Sequence, residues 1–214
     1  MKKIFLIVCI GCWHSLFLQA QKMMQYDLAA LLRKNQLVMD TSNHAQLLQD
    51  AVYKNAISFQ KILWLKDLSF KEGTIDVDLR GKNSFLQSFL GIAFHASDHE
   101  HYEVVYFRPF NFQYPDTARR RWSLQYMVTP DFSWDQLRKN HPFIYENSIT
   151  PPPKPDEWFH ATIVVKDEWI SVYVNHAAKP SLQVKKIGTM NKGSVGLWAD
   201  GLSGDFANLT IKTK

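Results

Sequence analysis

Six polar side chains fall in the outward register of segments that alternate like strands: Asp78, Arg80, His95, Glu103, Ser123 and Gln125. Gathered on one concave sheet face, this mixture of acids, a base and an amide would offer the paired donors and acceptors that sugar hydroxyls need beside a flat ring. Arg108 ends one such segment and Trp122 opens the next, adding a guanidinium and an aromatic platform. The ligand-binding set expected from the sequence is therefore Arg80, His95, Glu103, Arg108, Trp122 and Gln125, with a ring of Phe107, Trp122 or Trp134 close by. Were the same groove catalytic, Glu103 or Asp78 would serve as acid or base and His95 as the second group. Retaining hydrolysis needs two carboxyl groups about 5–5.5 Å apart, a distance that strand alternation alone does not fix.

Two metal readings compete with plainer ones. His99 and His101 share one side of a strand, with Asp98 or Glu103 as a further ligand, but the spacing matches no zinc signature and a polar hairpin tip accounts for it. Asp200, Ser203 and Asp205 offer oxygen atoms for calcium in a glycine-rich stretch that reads equally as a turn, the preferred reading. No cofactor is expected, calcium remaining the one option. There is no serine in a nucleophile elbow, no phosphate-cradling glycine loop and no nucleotide fingerprint after a strand.

The elements that must position these residues are short and numerous. Residues 73–81, GTIDVDLRG, alternate with period two, placing Ile75, Val77 and Leu79 inward and the charges outward. Residues 89–95, 102–108 and 122–128 repeat the pattern, while 37–41, 47–48 and 62–66 read as shorter strands. Residues 161–165 and 169–174 make a hairpin about Lys166, Asp167 and Glu168, and 195–198 and 206–211 make two last strands separated by glycine turns. Ile75, Val77, Leu79, Ile92, Phe94, Leu124, Val164, Val172, Leu197 and Phe206 are the expected core. Asp27 caps a short helix over Leu28, Leu31 and Leu32, and Ser133 with Gln136 opens a second helix that Pro142 stops. Residues 109–155 thus form a long excursion rich in rings, too many to bury on one loop. The pattern predicts an all-β jelly-roll sandwich of two antiparallel sheets with one or two short helices, as a single domain over residues 21–214.

GTIDVDLRG, SFLGIAFHASDHEHYEVVYFRPFNF and GSVGLWADGLSGDFANL resemble the concanavalin A-like lectin and glucanase superfamily. Within it they are similar to a bacterial laminin G-like subgroup related to the 3-keto-disaccharide hydrolase domain, over most of residues 60–214. The resemblance implies a surface that meets sugars or partner proteins. The leading reading is a carbohydrate-binding, lectin-like module; the alternatives are a glycan-active hydrolase or lyase in the same groove, and a laminin G-like protein-interaction module.

MKKIFLIVCIGCWHSLFLQAQ has a charged start, an apolar run and a small-residue cleavage site at Ala20, the grammar of a secretory signal peptide over residues 1–20. It is too short and interrupted to span a bilayer, and a lipoprotein anchor at Cys12 is the lesser alternative. Both cysteines, Cys9 and Cys12, leave with it, which excludes disulfides and thiolate chemistry from the remainder. The net charge of +5 falls to +3 without Lys2 and Lys3. Arg119, Arg120 and Arg121 form the dense basic cluster, expected as a solvated loop, and no nucleic-acid module accompanies it. A secreted or periplasmic, bacterial, monomeric glycan binder is the expectation.

Overall fold

A computed structural model of the chain describes residues 22–39 and 44–213. The expectations for the signal segment, Cys9, Cys12 and the Ala20–Gln21 cleavage site lie outside the described residues, as do residues 40–41 of the strand expected at 37–41. In chain order the elements are β1 (Lys22–Tyr26), α1 (Leu28–Arg33), β2 (Leu37–Met39), β3 (Gln46–Leu47), β4 (Ile57–Leu65), β5 (Gly73–Arg80), β6 (Ser88–Ala96) and β7 (Tyr102–Phe107). Then come α2 (Pro109–Phe112), α3 (Thr117–Arg120), β8 (Leu124–Thr129), α4 (Trp134–Asn140), β9 (Glu146–Asn147), β10 (Phe159–Lys166), β11 (Trp169–Val174), β12 (Leu182–Lys185) and β13 (Ser194–Thr213).

All pairings are antiparallel, and β13 joins two leaves of a jelly roll. Its first half, through Gly201, lies between β6 and the end of β4; β7, β8 and β9 continue that leaf. Its second half lies between β5 and the start of β4 with β1, and β10, β11 and β12 continue the other leaf. The two strands expected at 195–198 and 206–211 are therefore one strand of 20 residues. The glycines between them do not end it; they let its pairing with β4 slip between Ala199 and Gly204 as it passes from one leaf to the other.

Between the leaves lies one apolar core. Phe107 of β7 meets Phe159 of β10 at 5.0 Å between ring centroids, and Phe59 stacks on Phe206 at 4.6 Å. Ile75, Val77, Leu79, Ile92, Phe94, Leu124, Val172, Leu197 and Phe206 are all in it, as alternation requires. Val164 is not: in β10 the inward register is Ala161, Ile163 and Val165, and Val164 is half-buried on the outer side. Taken over the whole strand, FHATIVVK does alternate, with Phe159, Ala161, Ile163 and Val165 apolar against His160, Thr162 and Lys166; Val164 is the apolar exception in the outer register.

Both expected helices form. Asp27 Oδ1 accepts the Ala30 N–H at 3.0 Å, and the Ser133 N–H donates to Gln136 Oε1 at 3.0 Å. Two short helices, α2 and α3, were not expected; α3 carries Arg119 and Arg120, so the basic cluster is a helical turn and not an irregular loop. Among the described residues no helix is long and apolar enough to cross a membrane.

Candidate functional site

On the outer side of the leaf built by β6, β7 and β8 the residues are apolar where a wet face would be polar. Trp64, Ala93, Val104, Tyr106 and Trp198 form a second buried cluster there, with Phe89 and Met127 packed against it. Gly91 stands opposite both Tyr106 and Trp198, whose rings lie 5.2 Å apart. A Cβ at position 91 would fall 2.0 Å from the Val105 carbonyl oxygen, so the close strand approach beneath these rings requires glycine. The 109–155 excursion rises beside this floor and closes a groove of about 200 Å³, with Phe110, Asn111, Arg119, Trp122, Trp134 and Arg138 in its wall.

Polar groups converge at one end. The Arg108 guanidinium donates to Tyr106 Oη, to Gln125 Oε1 at 2.5 Å and to the Trp122 carbonyl at 3.0 Å. Tyr106 Oη donates to Gln125 Oε1 at 3.1 Å, and burial pushes its phenol up to about 12, so it keeps its proton. Arg138 forks onto Glu146, with Nη2 2.7 Å from Oε2. Trp122 is flanked by guanidinium groups, Arg138 at 4.3 Å and Arg119 at 5.2 Å from its ring, so it orders two cations instead of offering a bare platform. Trp134 is the more exposed ring, at 47%, with the Arg138 guanidinium 5.1 Å from it.

Three of the expected binding residues, Arg108, Trp122 and Gln125, thus come together here. The others do not. Glu103 faces the core, opposite Phe94 and in the same register as Val105 and Phe107, which is itself a core ring. His95 joins it there because β6 holds one residue more than β13 between the Gly196 and Ser194 pairings, a bulge at which His95 takes φ 53° and turns inward. His95 Nδ1 is 2.9 Å from Glu103 Oε1, its Nε2 is 2.8 Å from the Lys71 carbonyl, and Tyr126 Oη donates to Glu103 Oε2 at 2.5 Å. Both side chains are fully buried, so the expectation that they face a groove is corrected. Ser123, also expected on the wet face, is buried.

Arg80 and Asp78 belong to the other leaf. Arg80 binds Asp50 and Asp205, each at 2.9 Å, and lies over Trp158 at 4.6 Å. Arg80, His95, Glu103 and Gln125 therefore do not line one face. Asp205, a calcium candidate, is buried in that ion pair, whereas Asp200 is exposed on the groove rim. No group of three or more His, Cys, Asp or Glu able to hold a metal ion occurs among the described residues. His101 is engaged by Asp98, 2.8 Å away, within the hairpin tip.

A second polar network lies on the outer side of β5 and β10, in an open depression. His160 is held by Asp78 at 2.7 Å and by Asp76 at 3.5 Å, with its ring 4.3 Å from that of His176. Burial acts to raise Asp76, but hydrogen bonds from His160 and Thr162 outweigh it and hold the carboxyl at about 2. Asp78 is likewise lowered: burial is outweighed by His160, Asn208 and Tyr53. Hydrogen bonds to Asp76 and Asp78 raise His160 to about 9 against burial. Neither carboxyl keeps a proton near neutrality, which a general acid requires.

Sequence reasoning missed Asn111, Arg119 and Arg138 at the groove. Their signal was present: Trp134 and Arg138 stand one turn apart on α4, and the three consecutive arginines sit just before Trp122.

No family model and no curated protein matches the chain. Solved structures do. The carbohydrate-binding module CBM66 from Bacillus subtilis has a TM-score of 0.52 at 10% identity, over 72% of this chain and 86% of the module. A Bacillus subtilis protein of unknown function with a galectin-like fold has a TM-score of 0.58 at 10% identity, over 89% of this chain and 96% of that one. The xylan β-1,4-xylosidase of Bacillus halodurans C-125 has a TM-score of 0.52 at 10% identity, with 89% of this chain matching 39% of the longer enzyme. Likeness at these identities is one of fold, and that fold is the galectin- and concanavalin A-like jelly roll.

Proposed function

We propose that the chain is an exported carbohydrate-binding module, lectin-like in action, whose glycan site is the groove over β6, β7 and β8. The observation that carries this reading is the pairing of an exposed tryptophan, Trp134, and an aromatic floor with two guanidinium groups, Arg108 and Arg119, that Asn111 ties together. A sugar ring needs both: its C–H face packs on aromatic carbon while its hydroxyls take directional polar partners. The fold neighbours, a carbohydrate-binding module and part of a xylosidase among them, support a glycan-related role. The sequence motifs support the laminin G-like subgroup related to the 3-keto-disaccharide hydrolase domain as the finer placement.

The groove's chemistry favours binding over cleavage. Glu146 is committed to Arg138, which leaves Asp200 as the one carboxylate among the described residues lining the cavity. Two-carboxyl hydrolysis needs a partner for it.

A glycan array probed with the purified protein, followed by calorimetric titration of the best glycan, tests the proposal. Trp134→Ala should weaken binding about tenfold or more, by the ~1–3 kcal/mol typical of a lost stacking or polar partner, with an unchanged melting temperature. A blank array, together with capture of a protein partner that Trp134→Ala abolishes, would establish the interaction-module reading instead. The exposed Phe143 and Ile144 on the same excursion are what favour that reading.

A further inference from the structure

The charges around the groove are unevenly matched. Arg108, Arg119 and Arg138 line it against the single carboxylate of Asp200. Arg138 is neutralised by Glu146, but every acceptor of the other two is neutral. Arg108 donates to Tyr106, Gln125 and the Trp122 carbonyl, and Arg119 to Asn111 Oδ1 at 3.2 Å. Among the described residues no carboxylate lies within ion-pair distance of either. Asn111 ties the two together, since its Nδ2 donates at 3.1 Å to the same Trp122 carbonyl that Arg108 binds.

Arg108 is only 5% exposed, so its charge is largely withdrawn from water with no carboxylate in contact; Glu146, itself bound to Arg138, acts on it only from beyond ion-pair distance. Burial lowers its pKa, though a guanidinium stays protonated throughout the ordinary range. Such a site is costly to the empty protein and relieved by an arriving anion. It is also rigid. Arg108 lies over the Tyr106 ring at 4.7 Å, and Arg119 packs on Phe85 at 4.3 Å and on Tyr114 at 5.0 Å. Fixed guanidinium forks lose little entropy on meeting a planar or tetrahedral oxyanion. The cavity of about 200 Å³ lies below the roughly 300–1,000 Å³ of drug-sized sites, which suits one monosaccharide unit.

We propose that the groove selects an anionic sugar unit, a pyranose carrying a carboxylate or a sulfate ester, with its oxyanion held between Arg108 and Arg119 and its ring against Trp134. This rests on the reading of the groove as a glycan site and names its ligand class.

The test is calorimetric titration of the intact protein with three probes: an oligogalacturonide, a sulfated galactose oligosaccharide and a neutral galactose oligosaccharide, each at low and high salt. At least one anionic probe should bind about ten- to a hundredfold more tightly than the neutral one, the worth of a charged hydrogen bond, and weaken with salt. Which of the two does so identifies the anion. Arg119→Gln should remove most of that preference, and Arg119→Lys should restore part of it. Arg33→Gln removes an equal charge on α1 and should leave it intact. Equal affinity for neutral and anionic probes, both lost in Trp134→Ala, would overturn the proposal and leave the glycan site standing. Tight anionic binding that Arg119→Gln does not alter would also overturn it. No binding by any probe, with a blank glycan array, would end both readings.

Discussion

Inside the core, His95 and Glu103 hold each other at 2.9 Å with Tyr126 and the Lys71 carbonyl completing their bonds. Removing one partner leaves the other buried and unmatched, so Glu103→Ala should destabilise the fold by about 3–5 kcal/mol in urea titration. A glycan-contact residue would instead lose affinity and keep its stability. The sequence concealed this because YEVVYF is apolar in both registers: Tyr102, Val104 and Tyr106 form one set, Val105 and Phe107 the other. With rings covering the outer face as well, polarity could not mark which side was wet. A second prediction concerns His160. Its pKa, raised to about 9, means the stabilisation from Asp76 and Asp78 is complete below the ordinary value of 6.5 and is lost as pH rises through about 9. Asp76, held at about 2, gives the mirror limb: its share is complete above 3.8 and lost as pH falls toward 2. The two limbs describe one interaction and are not additive. Melting temperature should plateau from about pH 4 to 6.5 and decline toward pH 9, and His160→Gln should flatten the alkaline decline. An unchanged alkaline limb in that variant would assign it to another group.

At the scale of elements, α4 decides the groove although it is only 7 residues long. It presents Trp134 and Arg138 while Leu137, between them, is buried in the main core. Leu137→Ala should therefore cost about 2–5 kcal/mol and also weaken glycan binding, because the helix that aims the ring is no longer pinned. Chemical denaturation and titration on the same variant separate the two effects. Phe94→Ala and Phe206→Ala, both fully buried, should each cost about 3–5 kcal/mol without a matching loss of affinity at temperatures where the variants stay folded. This level was the most legible in the sequence. β5, β6 and β11 lie where alternation and turn residues set them, and Ser133 with Gln136 marks the start of α4. What could not be read was the joining of the last two strands, because glycines that usually end a strand serve in β13 to shift its register. The bulge at His95 was hidden for the same reason: an inserted residue leaves no trace in composition.

For the whole molecule, the order of the strands explains why the expected site was split. β5 and β8 are far apart in the sheet order, on different leaves, so Arg80 and Gln125 cannot share a face however regular their alternation. Parity within a strand is local information, whereas strand order is set by the whole chain. Export belongs to this scale as well. The intact mass of the secreted protein should correspond to a chain beginning at Gln21, and retention of residues 1–20 or a lipid on Cys12 would overturn that expectation. One further consequence follows from the pairing of β1 with the end of β13, in which Lys22 stands opposite Thr213 and Tyr26 opposite Leu209. A pulling force applied between residues 22 and 213 would open this pair from its end, one rung after another, instead of loading all its hydrogen bonds at once in shear. The little-buried β1 should therefore peel away at low force while the core holds. The edge of β13 that it uncovers is one on which a strand from another molecule could then anneal.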